Sequence, residues 1–135
     1  MNINRYTVLG VCAGQGALLF PFRKHLIGNI EVRGVFHTPG EEQWKANFGN
    51  IPFYKGFCLQ EFDEKVDIII SSPDCGASSV MRLSKVKELG NPKDNRSLNL
   101  VTAAILEYKP KIFLIENLPR LLSLLPKDFF EETFK

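Results

Sequence analysis

The run "KVDIIISSP" (65–73) constrains the fold more than any other stretch. Val66 to Ile70 is apolar but for Asp67, so a strand built from it is apolar on both faces. A strand of that kind belongs in a parallel sheet covered by helices on both sides. Three further segments read as strands around it: "YTVLGVC" (6–12), "IEVRGVFH" (30–37) and "PKIFLIENL" (110–118), the last as another buried strand. "IPFYKG" (51–56) is a brief one. Between them lie segments with helical spacing. "ALLFPFRKHLIG" (17–28) places Leu18, Leu19, Phe22 and Leu26 together and stops at Gly28, with Pro21 tolerable only near its start. "TPGEEQWKANFG" (38–49) is a short helix with Glu41 and Glu42 in its first turn. "RSLNLVTAAILEYK" (96–109) puts Leu98, Val101, Ile105 and Tyr108 on one face, and "KDFFEETFK" (127–135) is a last helix. The order β-α-β-α-β-β-α-β-α is that of an α/β doubly wound, mostly parallel, Rossmann-like sheet.

The 135 residues are enough for one domain, 1–135, and 44% apolar with 24% charged residues is ordinary for a globular chain. A net charge of +2 does not by itself argue for nucleic acid. No apolar stretch approaches the ~20 residues of a membrane span, and "MNINRYTVLG" lacks the features of a signal peptide. The three cysteines, Cys12, Cys58 and Cys75, include no CxxC pair, so neither a disulfide framework nor a metal site is expected. The expected compartment is a reducing cytoplasm, with no membrane partner. The polar stretch 82–97 holds Arg82, Lys85, Lys87, Lys93 and Arg96 against Glu88 and Asp94. From its residues it reads as a solvated loop, with room for a short helix.

In a doubly wound sheet, ligands bind beyond the carboxyl ends of the strands, where the strand order reverses. Three segments arrive there. "CAGQG" turns from strand into helix and offers backbone N–H groups, as an empty tight turn would too. "SSPDCGASS" (71–79) carries Cys75, whose thiol is open to three readings: core, metal ligand or nucleophile. An unperturbed thiol is only about 3% thiolate at pH 7. Asp74 beside it either faces the sulfur and disfavours thiolate, or turns away to cap a following helix; the cap is the expected use. Glu116, at the end of the last strand and followed by Asn117, is a candidate acid or hydrogen-bond partner.

Taken together, "VCAGQGAL", "SSPDCGASS", "DNRSLNL" and "FLIENLPRLL", with "NFG" (47–49) after Trp44, resemble the DNA (cytosine-5) methyltransferases from about residue 6 to 122. The resemblance implies S-adenosylmethionine as cofactor, held at Cys12, Ala13, Gly14, Gly16, Pro73 and Leu98. It implies a catalytic set of Cys75 as nucleophile with Glu116 and Asn117 holding the base. Arg82, Lys85, Lys87 and Arg96 would contact DNA, a setting that includes restriction-modification.

The chain departs from the family at several places. The family's proline before the nucleophile is Asp74, and its glutamine after it is Gly76. Family acids that precede the glycine motif, hold the ribose hydroxyls and contact adenine align with Gly10, Val35 and Phe57. Glu31, His37 and Glu61 are candidate substitutes. Binding of S-adenosylmethionine by this chain alone is therefore expected to be weak or absent. The family's target-recognition region and C-terminal motifs have no counterpart in the 135 residues. The implied domain is thus incomplete: the chain is the N-terminal part of a methyltransferase, or a second polypeptide or a homodimer completes it, or it is a reduced relative with altered chemistry. Two other functions stay open. One is a catalytically inactive binding or interaction module; the other is a pyrimidine-modifying enzyme with an altered donor.

Overall fold

The computed structural model describes residues 5–23, 30–37, 40–56, 59–75 and 96–134. Five parallel strands form one sheet in the order β3-β2-β1-β4-β5. They are β1 (Tyr6–Val11), β2 (Ile30–His37), β3 (Phe53–Lys55), β4 (Ile68–Ser71) and β5 (Ile112–Ile115). The helices are α1 (Phe20–Arg23), α2 (Glu41–Phe48), α3 (Arg96–Tyr108), α4 (Arg120–Leu124) and α5 (Phe129–Thr133). This is the doubly wound order expected from the alternation of strands and helices. The expected 17–28 helix is a short 3-10 turn, Ala17–Leu19, running into α1. Its remainder, 24–29, lies outside the described residues.

Both faces of the sheet are covered at its centre. On one face Leu9, Val11, Phe36 and Ile69 pack under Val101, Ala104 and Ile105 of α3. Stacked and edge-on rings continue that layer from Phe36 through Tyr54 and Phe62 to Tyr108. On the other face Val8, Val32, Val35 and Ile70 meet Leu19, Trp44 and Phe48. Ile69 and Ile70 are both buried, so β4 is apolar on both faces for the expected reason.

The expectation of a second buried strand is corrected at β5. Ile112, Phe113 and Leu114 are 60%, 39% and 53% exposed. The strand lies at the sheet edge, hydrogen-bonded to β4 in the register Ile68↔Ile112 to Ser71↔Ile115. An apolar run specifies a strand that can be covered; it does not say that a helix lies on top. Leu118 and Leu122 extend the exposed apolar surface.

At the amino ends of the strands Asp67 ties three of them together. Its Oδ2 accepts the Thr7 N–H at 3.1 Å, and its backbone carbonyl accepts the N–H groups of Lys111 and Ile112. Lys111 Nζ lies 3.0 Å from Oδ1 and also stands over the Tyr6 ring. The Thr7 N–H first, and Lys111 second, hold the Asp67 carboxyl below the usual carboxylate range despite its burial. A lowered folded-state pKa stabilises the fold at pH values above the unfolded value, and that share is lost as pH falls through the folded one. Asp67→Ala is expected to cost ~1–3 kcal/mol at pH 7, because Thr7 N–H and Lys111 lose their buried partner. Denaturant unfolding should show the gap between parent and variant narrowing below about pH 4.

Candidate functional site

The order of strands reverses between β1 and β4, so the crevice expected of this fold opens beyond the ends of those two strands. Cys12, the first residue past β1, has φ +53°, a left-handed conformation uncommon outside glycine. Its N–H donates to the Phe36 carbonyl at 2.7 Å, and its carbonyl accepts from Ser72 N–H at 3.3 Å. The residue thereby joins the ends of β1, β2 and β4. Its thiol is buried and points at the Ser97 carbonyl, 3.7 Å away. Burial pushes this thiol up to about 11. Cys12 is therefore a core thiol and contributes to the crevice through its backbone.

The turn that follows contains two left-handed glycines with different surroundings. Gly14, at φ +57°, has no heavy atom of the described residues within 4 Å of where a Cβ would stand. Gly16, at φ +85°, would place a Cβ 2.3 Å from Phe48 Cε2 and 2.9 Å from Trp44 Cζ3. Gly14 thus leaves space at the turn, while Gly16 lets the stacked Trp44 and Phe48 rings, 4.0 Å apart, pack beneath it. Asn47 of α2 donates to the Gln15 carbonyl and fastens the turn to that helix. Ala13 is buried in the second core layer.

The ends of β4 and β5 emerge side by side, because Ser71 pairs with Ile115. Glu116 N–H donates to the Ser71 carbonyl at 2.9 Å, and the Ser71 hydroxyl donates to the Leu114 carbonyl. The Ser72 hydroxyl donates to Glu116 Oε2 at 2.6 Å. Asn117 Nδ2 donates to the Pro73 carbonyl at 2.8 Å, and its Oδ1 accepts the Leu118 N–H. The Asp74 N–H donates to Ser97 Oγ at 2.8 Å. Cys75 follows directly and is exposed. Cys75 and Glu116 therefore open beyond the same edge of the sheet, on neighbouring strands.

Other expected site residues fall in different surroundings. Leu98 is buried with Leu121 and Leu125. Arg96 is exposed at the start of α3, one residue before Ser97. Arg82, Lys85 and Lys87 lie outside the described residues, as do Phe57 and the segment after Cys75 that Asp74 would cap. Gly10 sits inside β1 opposite Val35, which is fully buried. Neither position has room or solvent for an acid. Of the candidate substitutes, Glu31 lies near the start of β2, bonded to Arg5 and Arg33, at the end of the sheet away from the crevice. Glu61 is exposed in a 3-10 turn, and His37 ends β2. Sequence reasoning missed Ser72 and Ser97. Both are serines whose roles appear only when the strand ends are aligned.

Among the described residues no group of His, Cys, Asp and Glu could hold a metal ion, and no helix is long and apolar enough to cross a membrane. An open pocket of about 390 Å³, lined by Phe22, Glu31, Arg33, Asn50, Pro52 and Glu64, lies at the start of β2, away from Cys75 and Glu116.

No family model and no curated protein matches the chain. Among solved structures it is similar to the Entamoeba histolytica methyltransferase EhMeth, with a TM-score of 0.69 and 22% identity. The match covers 98% of this chain and 43% of that one, so this chain spans less than half of that structure's length. The chain therefore has an α/β Rossmann-like fold shared with a methyltransferase.

Proposed function

We propose that this chain is the catalytic half of a DNA cytosine-5 methyltransferase, with Cys75 as nucleophile and Glu116 as the group that meets the base. The observation that carries the reading is the hydrogen bond from Ser72, three residues before Cys75, to the Glu116 carboxylate. It holds the Glu116 carboxylate against the strand end that leads, three residues on, to the exposed Cys75. A cytosine flipped out of the duplex could be bracketed between them. Cys75 sulfur adds to C6, while Glu116 at N3 stabilises the charge that develops in the ring. C5 then becomes nucleophilic enough to take a methyl group. Loss of the C5 proton and cleavage of the carbon–sulfur bond restore the ring and the thiol. Arg96, together with Arg82, Lys85 and Lys87, is the proposed set for phosphates.

S-adenosylmethionine, when bound, supplies the electrophilic methyl. The backbone of Cys12–Gly16, with its open space at Gly14, fits close approach by such a ligand. The family's acids before the glycine motif and at the ribose do not fit in the same way, since positions 10 and 35 face the core. That observation favours a second reading, a binding module that keeps the fold without donor chemistry. The exposed apolar residues of β5 suit a homodimer or a second polypeptide as the completing partner.

An oligonucleotide containing 5-fluorocytosine tests the first reading, because fluorine at C5 blocks the final elimination and traps the adduct. With S-adenosylmethionine present, the parent should form a denaturation-stable complex. Cys75→Ala should form none, and Glu116→Gln should form it at least ~10-fold more slowly. No complex with the parent, even at saturating S-adenosylmethionine, would leave the second reading.

A further inference from the structure

Three consecutive residues before Cys75 are each held by a side chain from elsewhere. Glu116 takes the Ser72 hydroxyl, Asn117 takes the Pro73 carbonyl, and Ser97 takes the Asp74 N–H. The first two partners sit on the loop after β5. Ser97 sits in the first turn of α3 and is the one that reaches the residue next to the nucleophile. Its backbone carbonyl also receives the Cys12 thiol at 3.7 Å. Ser97 therefore links the exit of β1 to the exit of β4 across the crevice.

We infer that Ser97 is a positioning residue for Cys75: its hydroxyl accepts the Asp74 N–H and holds the peptide that sets where the thiol leaves the strand. The bond exists only because residue 74 has an N–H. A proline there would fix its own φ by its ring and offer nothing to Ser97. In this chain the restraint comes instead from a partner on another element, and Asp74 and Ser97 act as a pair. Among the residues of the α3 first turn, Arg96 and Asn99 are exposed and Leu98 faces the core, so the described contact to the strap is made by Ser97. The importance of that position rests on the reading of Cys75 as nucleophile, but the contact does not.

The test therefore uses neither DNA nor a methyl donor, and a failed methyltransferase assay leaves it standing. The Asp74 amide of the parent should exchange with solvent at least ~10-fold more slowly than an unstructured amide. An unprotected Asp74 amide in the parent overturns the inference by itself, whatever the variants do. Ser97→Ala should release that amide, whereas Ser97→Thr, which keeps the hydroxyl, should hold it. Alkylation of Cys75 by iodoacetamide, with Cys58 replaced by serine, reads out the consequence. A released strap lets the thiol sample more open conformers, so Ser97→Ala should raise the rate about threefold or more and Ser97→Thr should not. In an Asp74→Pro background the same Ser97→Ala change should alter the rate by less than about 1.5-fold, because no N–H remains to lose. Equal acceleration in both backgrounds, or a parental rate in Ser97→Ala, would overturn the pairing.

Discussion

Gly10→Asp is expected to unfold this chain, although it writes into the sequence the acid that the cytosine-5 methyltransferase resemblance calls for at that place. A Cβ at Gly10 would stand 2.6 Å from Leu19 Cδ1 and 2.9 Å from Val35 Cγ2. Both neighbours are fully buried, so neither can swing into solvent to make room. Overpacking of this kind costs ~1–3 kcal/mol, and a buried carboxylate with no partner adds several more. The sum, at least about 4 kcal/mol, is comparable with the whole stability of a small domain. Gly10→Ala separates the two contributions, since it carries the steric part alone. Urea unfolding of both variants is the measurement. A Gly10→Asp protein with the parental midpoint and improved donor binding would show that β1 shifts to present the acid, and the placement of position 10 would be wrong.

Gly16→Ala should lose ~2–5 kcal/mol, combining the left-handed penalty of ~1–2 kcal/mol with overpacking of ~1–3 kcal/mol. The added methyl meets aromatic rings that are themselves held. Trp44 donates its Nε1–H to the Ile51 carbonyl at 2.7 Å and stacks on Phe48. The strain therefore falls on the turn 12–16, the stretch proposed to approach the donor. Gly14→Ala, with open space around it, carries the left-handed penalty only. If that space is used by a ligand, Gly14→Ala should weaken binding more than it weakens folding. Thermal unfolding of the two variants, with calorimetric titration of S-adenosylmethionine where they stay folded, distinguishes a packing glycine from a ligand glycine. Equal stability of the two alanine variants would remove the distinction.

The layered fold was legible because its signals are local. "VDIII", short, β-branched and bounded by "SSP", reads as a strand covered on both sides, and Leu98, Val101 and Ile105 fall on one side of a helix whatever surrounds it. Strand ends are legible too, because the apolar runs "DIII" and "IFLI" each break at polar residues. The burial of β5 was misread because covering is a property of the neighbours: "IFLI" reads the same at an edge as at the centre. α4 was missed, since "PRLLSLL" carries no helical period distinct from a loop of leucines. Gly16 looked like part of a ligand turn, and only the rings of Trp44 and Phe48, some thirty residues on, reveal its packing duty. The straps from Ser72 and Ser97 depend on pairings 44 and 23 residues apart, which no spacing rule anticipates.

The thiol of Cys12 gives the molecule a built-in clock. At about 11 its pKa leaves roughly one molecule in a thousand ionised at pH 8, and at 4% exposure no reagent reaches the sulfur from outside. A label is expected to enter only when the contacts of Cys12 with Phe36, Ser72 and Ser97 open. With Cys58 and Cys75 replaced by serine, the rate of labelling at Cys12 measures how often the crevice comes apart. The same sulfur thus records breathing of the crevice floor, with no ligand or partner in the tube.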